Sequence, residues 1–409
     1  MKKLQSINEK YFFNPKLYKW IFISSLIALA FYYHFAEIIF LRPAGIHIWR
    51  QCECLSITMN YFYNSMNFFQ PAIHNQISDG GTSGLSAGEF PLLYYFIAIL
   101  WKVFGHHEYI YRLVVLIIAF IGLYCLYRTL EDILKDSFWA IFLTLLLYTS
   151  PIAVFYSINF ITNIPAFSFV LIGWHFFYRF YKSSRNHLLW LALFFFMIAG
   201  LLKISSAISF LLILFIYISD TIRLIKYKPG QRIFTKPLRQ FMPFLLFIIV
   251  VAVWYIYAIH FNNIHGGNYT TNSIFPIWAM QYDEIIKVWD ALISFLIKQI
   301  FSIPLLILSG VMFFAVIVLS FFKKVQTQAI IVLMVLFMGT AAYFLLWYSL
   351  FDIHDYYLIE LLPLFVFTFA IFFHYLKFHL FTIFNHIIFR LLIVVFLIYN
   401  AKYVPFSIG

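Results

Sequence analysis

The sequence contains few charged residues. Asp, Glu, Lys and Arg make up 11% of its 409 residues, whereas soluble domains carry about 25%. Apolar residues reach 64%, and the mean hydropathy is +0.89. The short alternating segments of a membrane β-barrel are also missing. Instead, apolar runs of about 20 residues recur, which is the length that a helix needs to cross a bilayer. We therefore predict an all-α polytopic membrane protein.

Cysteine is also scarce, which excludes a disulfide framework. The chain has Cys52, Cys54 and Cys125, and the first two lie too close on a helix to pair with each other. A zinc site that combines them with His47 is a minor alternative, because Cys52 belongs to an apolar stripe. No metal site is therefore predicted from the cysteines.

Two further classes are excluded by what the sequence lacks. No Gly-rich nucleotide-binding motif follows a predicted strand, which argues against a nucleotide-sugar donor. The net charge of +12 does not indicate nucleic acid, because Lys and Arg gather at the ends of apolar segments, as the positive-inside rule requires. A cleavable signal is not expected either, since 20–41 is long enough to remain as a first membrane helix.

The apolar segments predict about 11 to 12 helices in one transmembrane domain, 20–409. They cover 20–41, 91–105, 110–128, 138–157, 160–181, 188–220, 241–260, 300–322, 329–350, 357–377 and 380–402. The segment 188–220 is too long for one crossing, so we expect two helices that meet near Lys203.

Loop charges predict the orientation of these helices. The basic loop 220–240 and the N-terminal residues 1–19 are expected in the cytoplasm, and the polar loops 42–90 and 260–299 outside. Seven apolar segments precede the basic loop, whereas a cytoplasmic N-terminus requires an even number. The short segment 91–105 is the weakest candidate, and we expect it to enter the membrane without crossing.

The first outer loop is the most polar part of the chain. If 46–64 is helical, one face carries an apolar stripe at spacings of three and four. The stripe consists of Ile48, Cys52, Leu55, Met59 and Phe62. Arg50, Glu53 and Asn60 lie away from it, so the helix is expected to lie flat in the membrane interface with its polar face toward the protein. A plain surface ion pair between Arg50 and Glu53 is the alternative.

A glycine-rich stretch and a glutamate follow this helix. Four glycines occur in the nine positions of 80–88, which predicts a mobile loop. Pro91 suits the first turn of the next helix, and Glu89 suits its positive N-terminal end. Glu89 is therefore either a simple cap or a ligand for a cation or a substrate hydroxyl.

Ionisable residues next to apolar runs are costly and suggest function. Lys203 lies between two apolar stretches, and His354-Asp355-Tyr356-Tyr357 lies at the outer end of a helix. A cation at the outer interface is what a lipid-linked phosphate needs. A lysine that extends to the interface without any function is the alternative.

Several short motifs in these segments resemble one family. They are His47-Ile-Trp-Arg-Gln-Cys-Glu53, Glu89-Phe-Pro-Leu92, Ser150-Pro151, Asn163-Ile-Pro165, Gly200-Leu-Leu-Lys203 and His354-Asp-Tyr-Tyr357. In this order they resemble the polyprenyl-phosphate-dependent glycosyltransferases of the type C fold, which include protein O-mannosyltransferases and the aminoarabinose transferase of lipid A. The likeness is to bacterial members. The family usually has Asp at the position of Glu53, and often Asp at that of Asn163.

This resemblance implies transfer of a sugar from a polyprenyl phosphate to a hydroxyl of a glycan, lipid or protein, with inversion at the anomeric carbon. Glu53 would be the general base, and Lys203 with Arg50 or His354 would be the fixed cations that stabilise the leaving phosphate. No cofactor is then required, although Glu89 is a possible ligand of a divalent metal. The resemblance implies substrate-binding roles for Arg50, Glu89, Lys203, His354, Asp355, Tyr356 and Tyr357, with His47, Trp49, Gln51 and Asn163 as weaker candidates.

The resemblance further implies a location in the bacterial inner membrane, with the site on the outer face. Two other function classes stay open. A lipid flippase or transporter would need charged residues deep in several helices, and no Gly/Pro-broken pair of helices recurs in two halves. An O-antigen polymerase or ligase should place its main outer loop late in the chain.

Overall fold

The computed structural model describes residues 15–76, 81–227, 232–266 and 273–404. Within these ranges the chain is helical, and its β-type pairing is limited to one isolated antiparallel bridge between Ala72 and Leu85. The all-α fold class predicted from composition is confirmed.

The α-helices follow one another along the whole described chain. They are α1 Pro15–Tyr32, α2 Phe35–Ile38, α3 Ile48–Tyr63, α4 Leu92–Phe104, α5 Glu108–Leu134, α6 Ser137–Tyr148, α7 Pro151–Ser157, α8 Asn163–Ser183, α9 Asn186–Leu202, α10 Ile208–Thr221, α11 Pro237–Ile264, α12 Tyr282–Phe295, α13 Ile303–Phe321, α14 Thr327–Leu346, α15 Leu362–His379, α16 Phe381–Phe384 and α17 Ile387–Tyr403. Short 3₁₀-helices cover Ile204–Ala207, Ile277–Ala279, Tyr348–Asp352 and Asp355–Leu361.

Six helical segments among the described residues are long and apolar enough to cross a membrane. A seventh is formed by α6 and α7 together, which are bent by 77° at a break that precedes Pro151. Pro151 lacks a backbone N–H and restricts the residue before it, so a straight helix cannot continue through this point. The protein is therefore a multi-pass membrane protein.

The connections between the long helices gather at two ends of the bundle. One end, called the basic end, comprises 135–136, 184–185, 222–227, 232–236, 322–326 and 380–386. There Asp136 binds Arg390 at 2.9 Å, and Asp132 binds Lys182 at 3.5 Å. The opposite end, called the site end, holds α3, the 81–91 segment, Lys203, α12 and 347–361. The positive-inside rule would assign the basic end to the cytoplasm.

Helix α4 begins and ends at the site end. Beyond its C-terminus, His106 contacts Tyr63 of α3 at 2.8 Å between Nδ1 and the hydroxyl. The next helix starts with Glu108, which pairs with Arg42 at 3.1 Å. Segment 91–105 therefore does not reach the basic end. This agrees with the expectation that it does not cross the membrane. Six segments remain between the N-terminus and the basic loop, which removes the parity conflict.

The outer loop expected at 260–299 is more regular than the sequence suggests. Helix α11 continues to Ile264, and α12 occupies Tyr282–Phe295. A capping box of Gln281 and Glu284 starts α12, because a side-chain acceptor is needed for its first free N–H groups. Buried Val288 and Leu292 attach one face to the protein. The acidic residues of this segment, such as Asp283 and Glu284, therefore lie on an amphipathic helix and not in an irregular loop.

The described part of the glycine-rich stretch is anchored by hydrogen bonds. Ile73 N donates to Gly84 O at 2.8 Å. The amide side chain of Asn262 on α11 binds both backbone groups of Ala87, each at 2.8 Å. Residues 81–88 are not helical, as the glycines predict, and a glycine pattern cannot reveal such distant partners. Residues 77–80 lie outside the described residues.

Replacing Gly84 with Ala is expected to loosen this anchor. Gly84 has φ +71°, and an added Cβ would lie 2.1 Å from Ile73 O. Gly81 also has a positive φ, +87°, but a Cβ there would meet nothing within 4 Å. Both variants carry the backbone penalty of about 1–2 kcal/mol, while Gly84→Ala alone also creates a clash. A lower thermal unfolding midpoint for Gly84→Ala than for Gly81→Ala is expected, and equal midpoints would refute this account.

Candidate active site

Helix α3 carries its polar residues into the protein. Gln51, Glu53 and Thr58 are buried, whereas Ile48 and Trp49 are 51% and 62% exposed. The predicted helix is confirmed as Ile48–Tyr63, and its polar face is covered. Of the apolar stripe, only Ile48 and Cys52 are exposed, whereas Leu55 is buried and Met59 and Phe62 pack against the core. Glu53 is therefore directed toward the interior of the site end.

The turn before α3 is shaped by His47 and Gln51. His47 has φ 56°, a left-handed conformation that few non-glycine residues adopt. The side-chain amide of Gln51 donates to Ala44 O and Ile46 O, both at 2.8 Å. Gln51 thus holds the turn that positions His47, and the structure places it as a support of the site. Trp49 is largely exposed.

Arg50 joins the two glutamates that the sequence singles out. Its Nη1 donates to Glu53 Oε2 at 2.5 Å, and its Nη2 donates to Glu89 Oε1. The hydroxyl of Thr162, just before α8, donates to the same Glu89 oxygen at 3.0 Å. The side chains of Arg50, Glu53 and Glu89 are only 22%, 7% and 12% exposed. A plain surface ion pair is therefore not what the structure contains.

Neighbouring charges favour the ionised forms of Glu89 and Arg50. Burial by itself would raise the pKa of the Glu89 carboxyl, but Arg50 and Lys203 outweigh it and lower that pKa to about 2. Burial also opposes the charge of Arg50, yet the neighbouring acidic groups hold its pKa well above the ordinary value. Within the described chain, Glu53 Oε1 is buried without a hydrogen-bond partner. Such an atom needs a donor, which a substrate hydroxyl can supply.

Lys203 lies at the break between two helices, as predicted for 188–220. Helix α9 ends at Leu202, and Lys203 is extended, with φ −154°. Its Nζ lies 4.4 Å from the ring centre of Tyr357 and 5.8 Å from that of Tyr356. Aromatic faces attract a cation without neutralising it. Among the described residues Lys203 makes no ion pair, so its charge remains available to an anionic ligand.

Asp355 of the 354–357 segment contacts both the turn before α3 and helix α7. Asp355 Oδ1 accepts from Tyr156 OH at 2.5 Å and binds His47 Nε2 at 2.8 Å. Asp355 is 1% exposed, and within the described chain its second oxygen, Oδ2, is buried without a hydrogen-bond partner, as Glu53 Oε1 is. A carboxylate only accepts hydrogen bonds, and His47 must therefore carry a proton on Nε2. This contact does not use Nδ1 of His47.

Replacing Asp355 with Asn is expected to disturb His47. The amide can donate to Nε2 and so favour the other tautomer, with the proton on Nδ1. We expect a tenfold or greater loss of turnover in the sugar-transfer assay proposed below. Tyr156→Phe removes the other donor to Asp355 but leaves the carboxylate in place. Its turnover should therefore fall less than that of Asp355→Asn. A larger loss for Tyr156→Phe than for Asp355→Asn would contradict this role of Asp355.

The remaining predicted residues surround this network. Burial lowers the pKa of His354 to about 4, helped by His47, Lys203 and Arg50. His354 is therefore neutral at pH 7 and offers hydrogen bonds instead of a charge. Asn163 begins α8, and its amide donates to Tyr356 O at 3.4 Å. The structure therefore brings His354 and Asn163 close to the rest of the site. His354 is not one of its fixed cations, which are Arg50 and Lys203.

Sequence patterns did not indicate several residues that complete the site. Thr162 and Tyr156 bind the two acidic residues Glu89 and Asp355. Arg112 is buried and donates to three backbone carbonyls, those of Leu41, Arg42 and Ile158. A buried arginine inside an apolar helix is the one signal that could have been noticed. Hydroxyl groups in apolar segments carry no comparable signal.

The described residues offer little to a metal ion. No group of three or more His, Cys, Asp or Glu within them is arranged to hold one. Cys54 is buried and accepts a hydrogen bond from Tyr94 OH at 3.3 Å, and burial raises the pKa of its thiol to about 12. Cys52 is exposed on the opposite side. At Glu89, Oε1 is occupied by Arg50 and Thr162.

Comparison with known proteins identifies the fold. Residues 88–257 match the family model described as dolichyl-phosphate-mannose-protein mannosyltransferase. Two crystal structures of ArnT from Cupriavidus metallidurans are similar, one in the apo state and one bound to undecaprenyl phosphate. Each has a TM-score of 0.52 and 11% sequence identity, and covers 86% of this chain and 59% of the ArnT chain. The sequence matches no curated protein.

These findings confirm the predicted resemblance to this superfamily and its membrane fold. The chain spans 59% of the length of ArnT. The matched family range includes Glu89, Thr162 and Lys203, whereas the segments around Glu53 and Asp355 lie outside it. The match therefore covers one half of the residue cluster, and the geometry of the protein supplies the other half.

Proposed function

We propose that the protein transfers a sugar from a polyprenyl-phosphate donor to an acceptor hydroxyl at the outer face of the membrane. One observation carries this proposal: Arg50 and Lys203 flank two buried carboxylates at one end of a membrane bundle. Transfer of this kind requires a base for the hydroxyl and cations for the phosphate, within a water-poor site. The undecaprenyl phosphate bound to the similar ArnT fold supports a donor of this class.

Arg50 and Lys203 bind the donor phosphate. Arginine suits this role because its guanidinium has several N–H donors and can bind a phosphate while Nη2 stays with Glu89, and the ammonium of Lys203 adds a second charge from above the ring of Tyr357. The polyprenyl chain lies in the bilayer and enters between helices, so the sugar reaches the site end from the side. A water-soluble donor is not required.

Glu53 takes the proton from the acceptor. The acceptor oxygen attacks the anomeric carbon, its proton passes to Glu53, and the bond from that carbon to the phosphate oxygen breaks with its electron pair. When the phosphate binds Arg50, it competes with Glu53 for the guanidinium, which frees the carboxylate for this step. Glu89 keeps the other side of Arg50 in place and orients a substrate hydroxyl. Backside attack inverts the anomeric configuration.

The leaving group needs positive charge rather than an acid. Polyprenyl phosphate departs as a monoester with a charge of about −1.5 to −2, and Arg50 and Lys203 stabilise it. His47, fixed by Asp355, accepts a hydrogen bond from a sugar or acceptor hydroxyl through Nδ1. No metal is needed in this scheme.

The charged cluster lies at one end of the bundle, which favours an enzyme over a lipid flippase or transporter. A transporter would carry ionisable side chains along a path through several helices. An O-antigen polymerase or ligase shares the lipid-linked chemistry, and its polymerised product would distinguish it from a transferase of single sugars.

Comparison of cell-envelope glycans and lipids tests the proposal in the host. Mass spectrometry would compare cells that contain the protein, cells that lack it, and cells with Glu53→Gln. We expect one sugar residue to be missing from one acceptor in the latter two strains, which would name both substrates. Identical glycans and lipids in all three strains would refute the proposal, and loss of a whole polymer would favour a polymerase.

A further inference from the structure

Glu360 is a buried carboxylate that the proposed mechanism does not use. It lies near the end of the 3₁₀-helix Asp355–Leu361 and is 5% exposed. Its Oε1 accepts two hydrogen bonds, from Ser205 OH at 3.0 Å and from Ser206 OH at 2.9 Å. These serines follow Lys203 directly. A carboxylate from a distant part of the chain is thus fixed to the two residues after the cation.

The backbone at Lys203 needs such a support. Helix α9 ends at Leu202, and a 3₁₀-helix covers Ile204–Ala207 before α10 begins. Lys203 between them is extended, so its position is not determined by a continuous helix. Few local bonds hold it, among them Lys203 N to Ala199 O at 2.8 Å and Ser206 N to Lys203 O at 3.0 Å.

The same 3₁₀-helix also holds the side chain of Lys203. Residues three apart in a 3₁₀-helix lie on one face, and Tyr357 precedes Glu360 by three positions. The Tyr357 ring attracts the ammonium at 4.4 Å, while Glu360 binds the backbone segment after Lys203 through the serine hydroxyls. Both ends of the lysine are therefore positioned by one element.

From this arrangement we infer that Glu360 is the positioning residue for Lys203 and sets the affinity of the site for a lipid-linked phosphate. The inference rests on the proposed function. Glu360 does not touch the substrate in this account. It acts through Ser205 and Ser206, which keep the Lys203 break in the geometry that places the ammonium at the phosphate.

A double-mutant cycle tests the inference. Binding of polyprenyl phosphate to the purified full chain in detergent would be measured for the wild type, Glu360→Ala, Lys203→Met and the double variant. We expect Glu360→Ala to weaken binding about tenfold and Lys203→Met at least as much. The double variant should bind like Lys203→Met alone, because Glu360 acts through the lysine. Additive losses, or unchanged binding in Glu360→Ala, would overturn the inference.

Two further variants test the inference if Glu360→Ala does not fold. Glu360→Gln keeps an oxygen that accepts from both serines and should retain binding near the wild-type level. The pair Ser205→Ala with Ser206→Ala keeps the carboxylate but removes its two donors, and should weaken binding as Glu360→Ala does. Wild-type binding in that pair would overturn the inference.

A matched control separates positioning from general stability. Asp220 is another buried carboxylate, which accepts from Phe234 N at 2.9 Å near the basic end. Asp220→Ala should lower the unfolding midpoint without changing the affinity for polyprenyl phosphate, and an equal affinity loss there would overturn the inference.

Failure of the proposed function gives a different result. A wild-type protein that binds polyprenyl phosphate through Lys203 and Glu360 but transfers no sugar would refute the proposed function alone. A wild-type protein that does not bind polyprenyl phosphate would refute both.

Discussion

Replacing Glu53 with Gln is expected to lower the turnover of sugar transfer by about 10²- to 10⁴-fold, the usual contribution of a general base. Glutamine keeps the size and the acceptor oxygen of the side chain but cannot take a proton from the acceptor. Arg50 would still be held by Glu89, so donor binding should change far less than turnover. Initial rates and donor affinity of purified protein would be measured separately.

Two control variants sharpen this test. Glu37→Gln alters a glutamate whose side chain is 79% exposed and pairs with His34, and it should leave turnover unchanged. Glu53→Asp keeps the negative charge and restores the residue that the resembling family usually has at this position, so it should retain more activity than Glu53→Gln. Turnover of Glu53→Gln equal to the wild type would remove Glu53 from the base role.

Replacing Arg50 with Met is expected to lower the free energy of unfolding by about 3–5 kcal/mol, the cost of breaking a buried ion pair. It would leave the Glu53 and Glu89 carboxylates, 7% and 12% exposed, without their shared cation. Donor binding should also be lost. Arg42→Met is the matched control, because Arg42 pairs with Glu108 while its side chain is 78% exposed. Arg42→Met should lower the free energy of unfolding only slightly.

The effect of Arg50→Met should depend on pH. In the wild type the pKa of Glu89 is lowered from 4.5 to about 2, so its stabilisation is complete above pH 4.5 and is lost as the pH falls toward 2. Without Arg50, burial disfavours the charged carboxylate and protonation relieves the penalty. The difference in unfolding midpoint between variant and wild type should therefore narrow from pH 7 to pH 5. A constant difference would contradict the role assigned to Arg50.

The membrane fold could be predicted from the sequence because hydrophobic length is a direct physical requirement of the bilayer. The same holds for α3, where spacings of three and four residues predict its buried polar face, and for the break at Lys203, where a cation interrupts two apolar runs. These features depend on local pattern alone. The predicted helix at 46–64 and the two helices in 188–220 are confirmed for this reason.

Contacts between distant segments could not be predicted in the same way. Asp355 meets His47 and Tyr156 only after the bundle closes, and the sequence contains no signal of that partnership. The same applies to Glu360, whose partners Ser205 and Ser206 lie more than 150 positions away. Helix α12 was not predicted for another reason: its acidic residues are also typical of an outer loop. The site was therefore predicted as a set of residues, while their connections required the structure.

Sugar transfer by the purified protein in liposomes is the decisive test of the proposed function. The protein would be supplied with polyprenyl-phosphate sugars and an extract of envelope acceptors, and the released polyprenyl phosphate and the anomeric configuration of the product would be measured. We expect release of polyprenyl phosphate together with a product of inverted configuration, both abolished by Glu53→Gln. A product of retained configuration, or no release from any lipid-linked sugar, would contradict the account.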